Sequence, residues 1–164
     1  MSRRGAVILL CVVVGIALIA SVVFVARGRS ALRGRIHSLI GSLGDPEDGA
    51  RGSAAKALGE IGPAAERALP TLATSALNDP SPSVRAQAAR ALGLVGPEAP
   101  ETVPTLLKVL ANRDPSVRRQ ASETLGLLGP KAKPALPDLD RLSAKDPDPS
   151  VRSSALDALE KIRK

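Results

Sequence analysis

A repeat of 33 or 34 residues runs through most of this chain. Three blocks align and each ends in Gly-Pro: 57–63 (ALGEIGP), 91–97 (ALGLVGP) and 124–130 (TLGLLGP). Each block contains a leucine in the same place, and a fourth follows near the chain end, with separations of 34, 33 and 34 residues. A period of this length is typical of solenoids, because one unit alone cannot bury its apolar face. We call these four the framework leucines: Leu58, Leu92, Leu125 and Leu159.

Each repeat is predicted to form two helices. The first follows an Asp-Pro or Ser-Pro loop, where the polar residue suits the helix cap and the proline suits the first turn. Apolar residues then recur at helical spacing, as at Val84, Ala88 and Leu92, until Gly-Pro ends the helix. A second, leucine-rich helix follows. With a further helix at residues 36–43, we predict an all-α fold, an α-solenoid of about four helix pairs over residues 31–164.

One stretch of sequence indicates which kind of helix pair is repeated. Residues 114–130 follow the pattern D-P-S-V-R-x-x-A-x-x-x-L-G-x-x-G-P. This pattern resembles HEAT repeats in the short form known from the phycobilisome-lyase group. The resemblance implies a curved stack of helix pairs that serves as a protein-binding scaffold. The chain departs from the pattern in two ways, since its third loop is compressed to a single Asp-Pro and its fourth unit lacks the closing Gly-Pro.

The resemblance also implies a repeat framework ladder of arginines and aspartates. An arginine stands seven residues before each framework leucine, and in the resembled family it pairs with an aspartate between units. Four cations along one ridge would alternatively bind a polyanion, but opposed carboxylates are available. The expected ladder comprises Arg51, Arg85, Arg118 and Arg152 with Asp45, Asp79, Asp114 and either Asp146 or Asp148.

A second set of charged residues recurs two positions before each framework leucine. These residues belong neither to the core nor to the ladder. The first half of the set is basic and its second half is acidic, which suits a partner of matching polarity. An ordinary solvated helix face is the alternative. This candidate partner-facing ridge consists of Lys56, Arg90, Glu123 and Asp157.

The N-terminal part of the chain is predicted to be a membrane anchor. Residues 6–26 carry no charge and, as a helix, would span roughly 31 Å, about the thickness of a hydrocarbon core. A cleaved signal peptide is the alternative, but the run is long and lacks a suitable small-x-small site at its end. Residues 1–5 form a basic flank, and 27–35 form a basic juxtamembrane segment. More arginines follow the run than precede it, which favours a cytoplasmic C-terminal solenoid on a single-pass protein.

The charge is concentrated beside this anchor. Residues 1–35 contain six arginines and no acid, so the rest of the chain holds 17 basic against 16 acidic groups. The net charge of +7 therefore does not indicate a basic soluble domain, and no nucleic-acid partner is expected. Binding of anionic lipid or nucleic acid by the juxtamembrane arginines remains an alternative. Those arginines are Arg27, Arg29, Arg33 and Arg35.

The sequence shows no catalytic constellation. His37 is the single histidine and Cys11 the single cysteine, so no Cys/His or Ser/His pair is expected in the solenoid. We expect no metal site, no cofactor and no small-molecule substrate. The predicted function is a non-catalytic, membrane-anchored scaffold that binds another protein through its HEAT-repeat surface. A lyase-like accessory enzyme is a further alternative.

Overall fold

The computed structural model describes residues 28–164. The chain divides into two compact units, Met1–His37 and Ser38–Lys164, and the packing described below belongs to the second. All the regular structure within the described residues is helical. The helices are α1 (28–42), α2 (Asp48–Ile61), α3 (Leu69–Asn78), α4 (Pro82–Val95), α5 (Thr102–Val109), α6 (Pro115–Leu128), α7 (Leu136–Lys145) and α8 (Pro149–Arg163).

The helix starts follow from local side-chain chemistry. Proline occupies the first turn of α4, α6 and α8, where its missing N–H costs nothing. Asp114 caps α6, its carboxylate accepting a 2.9 Å hydrogen bond from the backbone N–H of Ser116. Asp148 caps α8 by accepting from the N–H of Ser150 at 2.8 Å. The Asp-Pro loops therefore cap α6 and α8 as the sequence predicts, whereas Ser81 precedes α4 without a side-chain capping hydrogen bond.

The Gly-Pro motifs end α2 and α6 in the same way. Gly62 has a φ of 68° and Gly129 a φ of 58°, a left-handed backbone that glycine adopts without strain. A short 3-10 helix follows each glycine, at Gly62–Ala68 and Gly129–Ala135. The corresponding linker after α4 differs, since Gly96 has a φ of −123° and a turn replaces the 3-10 helix before α5.

The helices form two layers. One layer contains α2, α4, α6 and α8, each packed against the next. The other contains α3, α5 and α7, which pack against α4, α6 and α8 respectively. Residues 48–164 therefore form a stack in which α2 is followed by three helix pairs, confirming the predicted α-solenoid.

The framework leucines lie at the centre of this stack. Leu58, Leu92 and Leu125 are completely buried, and Leu159 is 2% exposed. The other layer contributes leucines that are also fully buried: Leu72, Leu106 and Leu139. Each helix pair therefore buries one leucine from each layer.

Glycine lets neighbouring helices of the first layer approach closely. A glycine follows each of the first three framework leucines, and a Cβ added at the third of them, Gly126, would lie 3.0 Å from the Cα of Ala158. In α8 the corresponding residue is the exposed Glu160. Leu156, also in α8, is 53% exposed at a position where α2, α4 and α6 carry buried small residues. The outer side of α8 therefore differs from the helix faces that pack together in the stack.

No helix within residues 28–164 is long and apolar enough to cross a membrane. The predicted membrane helix at residues 6–26 lies outside the described residues.

Candidate partner-binding face and loop clamps

The predicted ridge lies on the outward side of the first helical layer. Lys56, Arg90 and Asp157 are exposed, and Glu123 is half-buried. Lys56 lies 4.0 Å from the carboxylate of Glu60. The half-burial of Glu123 accompanies a 2.8 Å ion pair with Arg119 one helical turn earlier. The ridge charges are thus partly compensated within their own helices.

Two leucines stand beside this ridge and were missed by the sequence analysis. Leu94 is 38% exposed and Leu127 is 58% exposed, and each lies two residues after its framework leucine on the adjacent helices α4 and α6. The equivalent residues of α2 and α8 are the charged Glu60 and Lys161. An apolar centre is therefore flanked by charged positions, a composition common in protein-binding surfaces. We call the eight positions the ridge face: Lys56, Glu60, Arg90, Leu94, Glu123, Leu127, Asp157 and Lys161.

A groove between α2 and α4 borders the ridge face. It consists of two adjoining hollows of about 250 and 120 Å³, both lined by Lys56 and Gln87. The floor of the larger hollow contains Gly49 and Gly52, where missing side chains leave the helix surface open. Leu94 lines the smaller hollow. The ridge face is therefore concave on its α2–α4 side.

The arginine of α2 forms a clamp to the next repeat. Arg51 donates from Nε and Nη2 to the two carboxylate oxygens of Asp79, at 2.8 and 2.9 Å. Its Nη1 donates to the carbonyl oxygens of Asp45 and Pro46. Burial raises the pKa of Asp79, but hydrogen bonds from Arg51 and Ser81 outweigh burial and lower it below its ordinary value. This arginine therefore joins two consecutive loops.

The arginine of α6 repeats this geometry 67 residues later in the chain. Arg118 donates from Nε and Nη2 to the two carboxylate oxygens of Asp146, both at 2.8 Å. The side chain of Arg118 is only 11% exposed and that of Asp146 only 3%. Its Nη1 donates to the carbonyl oxygens of Asn112 and Arg113. The hydrogen bonds from Arg118 hold the pKa of Asp146 below its ordinary value. Bidentate pairs of this kind fix orientation as well as adding attraction.

The remaining ladder residues have different partners. Arg85 and Arg152 donate from Nη1 to the carbonyl oxygens of their own preceding loops, at Asp79 and Asp146. The carboxylate of Asp45 accepts from the backbone N–H of Glu47. Asp114 accepts from Ser116, whose hydroxyl lowers the pKa of that carboxyl. Asp148 similarly accepts from Ser150.

Spacing explains why Asp114 differs from the clamping aspartates. Asp79 and Asp146 each stand six residues before the arginine of their own repeat, Arg85 or Arg152. In the third loop the residue six before Arg118 is Asn112, whereas Asp114 is four before it. Counting back from the arginine, rather than aligning Asp-Pro pairs, would have identified Asn112.

The juxtamembrane arginines are only partly described by the structure. Arg29, Arg33 and Arg35 lie on α1 and are exposed. Arg27 lies outside the described residues.

The fold and the loop clamps define a class of repeat protein, and comparison with known families agrees. The family of HEAT repeats matches residues 70–160, more than half of the chain, so this chain belongs to the HEAT-repeat family. The PBS lyase HEAT-like repeat matches residues 50–78.

Solved structures give a more particular likeness. A chain from the complex of CpcE and CpcF of phycocyanin lyase from Nostoc sp. PCC7120 is 27% identical, with a TM-score of 0.66. The match covers 82% of this chain and 88% of that chain. An engineered protein with 22% identity and a TM-score of 0.57, covering 77% of this chain and 62% of its own, shows the same fold. No curated protein matches the sequence.

The likeness to a phycocyanin lyase chain corrects one prediction. We expected the chain not to be an enzyme, and that expectation is wrong, because PBS lyase HEAT-like repeats and this structural similarity point to lyase-type function. The absence of a nucleophile and base pair from the sequence of one chain therefore does not exclude such a function.

Proposed function

We propose that this chain is a protein-binding subunit of lyase-type function, and that it recognises its partner through the ridge face. Membership of the HEAT-repeat family supports a protein partner, and the similar phycocyanin lyase chain comes from a complex of two proteins. Its lyase-type role is supported by the same similarity and by the matching PBS lyase repeat.

The exposed leucines are the reason for assigning partner binding to the ridge face. Leu94 and Leu127 expose apolar area on neighbouring helices that already bury their other leucines. Covering such side chains contributes roughly 25 cal/mol for each Å² of apolar surface removed from water. Charged residues on both sides of the leucines would then select the orientation of the partner.

Substituting these leucines tests the surface. In the full chain with an affinity tag, Leu94→Ser together with Leu127→Ser is expected to abolish capture of the partner obtained with the wild type. Leu156→Ser is the matched control, because Leu156 is similarly exposed but lies on the outer side of α8. Charge reversal at the four ridge positions should weaken capture by lowering the association rate and changing its dependence on salt. Equal capture by the double variant and the wild type would rule out the ridge face.

The lyase-type role has its own readout in the same experiment. Every protein captured with the wild type, the partner subunit and any further protein held by the pair, is also isolated from native cells with and without this chain, and the intact masses are compared by mass spectrometry. A captured protein whose mass depends on the chain carries a group whose bond lyase-type chemistry has formed or broken, which supports that function. Unchanged masses for all of the captured proteins contradict it, while leaving the capture result intact.

We further propose that residues 6–26 hold the repeats at a membrane, with the solenoid in the cytoplasm. Support comes from the 21 consecutive uncharged residues and the excess of arginine after them. Val13→Arg with Ile16→Arg in the full chain should release the protein from membranes, since each central charge costs about 3 kcal/mol. The control places the same charges outside the segment, as His37→Arg and Ser38→Arg.

The fractionation result decides between anchor and soluble protein. Wild type and control are expected to stay in the membrane pellet after alkaline washing, and the segment variant to appear in the supernatant. A wild type extracted by alkali would contradict the anchor. Protease added to sealed cells should leave the solenoid intact, and its digestion would reverse the proposed orientation.

A further inference from the structure

The stack contains three joints between successive helices of the first layer, and two of them are clamped. All the clamps lie on one side of the stack, at the loops 79–81, 110–114 and 146–148, which we call the loop edge. Arg51 closes the joint between α2 and α4 by binding Asp79. Arg118 closes the joint between α6 and α8 by binding Asp146.

The middle joint, between α4 and α6, has no such clamp within the described residues. Its arginine is Arg85, whose Nη1 is occupied by carbonyl oxygens but whose Nε is buried without a hydrogen-bond acceptor. The acceptor position is held by Asn112, and the Oδ1 of Asn112 accepts from the N–H of Asp114 instead. A neutral amide has one oxygen, so it cannot receive both N–H groups of a guanidinium fork as a carboxylate does.

At the opposite edge of the middle joint, Glu98 in the linker after α4 forms an ion pair with Lys131 in the linker after α6. The linker after α4 is itself held by the buried hydroxyl of Thr102, which donates to the carbonyl oxygen of Gly96 at 2.7 Å. Between the two edges α4 and α6 are in close contact, because Gly93 faces the side chain of Thr124. Within residues 28–164 the middle joint therefore has an ion pair at one edge and no arginine clamp at the loop edge.

We infer that the joint between α4 and α6 is a hinge that opens at the loop edge. The clamped halves on either side, α2 to α4 and α5 to α8, move as units about the Gly93–Thr124 contact. Hinge motion between two rigid bodies requires only a few positions that absorb the change in geometry. Opening changes the separation of Arg90 from Glu123, so the ridge face changes shape whatever its partner is.

Spin-label distances across the joints test this inference. Labels are attached in the full chain, in a Cys11→Ser background, at exposed positions near the loop edge. Asn78→Cys with Lys108→Cys spans only the middle joint, and Lys108→Cys with Ala144→Cys spans only the clamped joint between α6 and α8. The first pair is expected to give a broader distance distribution than the second.

Supplying the missing carboxylate should close the hinge. Asn112→Asp is expected to narrow the first distribution to the width of the second, because Arg85 then gains a bidentate partner. Adding Arg85→Gln should restore the width. Asp146→Asn, which breaks a clamp, should instead broaden the Lys108–Ala144 distribution. Equal widths for the two pairs in the otherwise unchanged chain, or no narrowing with Asn112→Asp, would overturn the hinge.

Discussion

Replacing Asp146 by asparagine is expected to lower the free energy of unfolding by about 2 kcal/mol, the usual cost of losing charge-assisted hydrogen bonds from a buried partner. The substitution is nearly isosteric, and the new amide can still accept from the N–H of Asp148, as Asn112 does from Asp114. What it removes is the bidentate acceptor of Arg118, which would be left charged with an exposure of only 11%. Urea denaturation of the purified chain measures the loss.

The stability lost in Asp146→Asn should decrease at low pH. The folded pKa of Asp146 is lowered, chiefly by the hydrogen bonds from Arg118. The clamp therefore contributes its full stability above the ordinary carboxyl pKa of about 4, and that contribution is lost as the pH falls through the lowered folded value. The difference between wild type and Asp146→Asn should be largest at about pH 7 and shrink below about pH 4.

Asp138→Asn is the matched control for this prediction. Asp138 also accepts from an arginine, Arg141, at 2.9 Å, but the two side chains are 42% and 60% exposed. Exposed pairs contribute about 0 to 1 kcal/mol. If Asp146→Asn costs no more than Asp138→Asn, the clamp does not stabilise the stack.

Replacing Gly126 by alanine is expected to destabilise the protein by about 1 kcal/mol, although alanine favours helices. Helix propensity alone predicts a gain of about 1 kcal/mol for glycine to alanine. The new Cβ would lie 3.0 Å from the Cα and 3.2 Å from the Cβ of Ala158. Backbone cannot rotate away as a flexible side chain can, so α6 and α8 must separate, and such overpacking costs about 1 to 3 kcal/mol.

Gly52→Ala provides the control, with the opposite expected sign. Its Cβ would meet the Cγ2 of Val84 at 3.9 Å, an ordinary contact. The propensity gain is then unopposed, and the midpoint of thermal unfolding should rise. If both variants were equally stabilised, close helix approach would not be what glycine supplies at position 126.

The sequence predicted the framework of the stack because its determinants are local and periodic. The register of Leu58, Leu92 and Leu125 fixed the core, and the glycines of the Gly-Pro motifs fixed where α2, α4 and α6 end. The clamp partners were harder to predict, because Asp114 belongs to an Asp-Pro pair and yet acts as a helix cap. Its role depends on a two-residue offset, which aligning the Asp-Pro pairs conceals and counting back from Arg118 reveals.

The ridge face was predicted only in part. Charged positions such as Lys56 are recognisable from spacing, but Leu94 and Leu127 resemble core residues in a leucine-rich segment. Their exposure depends on how each helix is rotated against its neighbours, which no local pattern specifies. No pair of catalytic side chains indicated lyase-type function, which is suggested by the PBS lyase HEAT-like repeat and by the likeness to a phycocyanin lyase chain.

Glu160 has a consequence for extending this protein by design. An additional repeat inserted after α8 would have to dock at the spacing that Gly126 permits between α6 and α8. A glutamate at the matching position blocks that spacing and would place a carboxylate in a dry interface. Residues on the outer surface of α8 must therefore be substituted before the array can be lengthened. Glu160 thus limits the addition of repeats that repeat proteins otherwise allow.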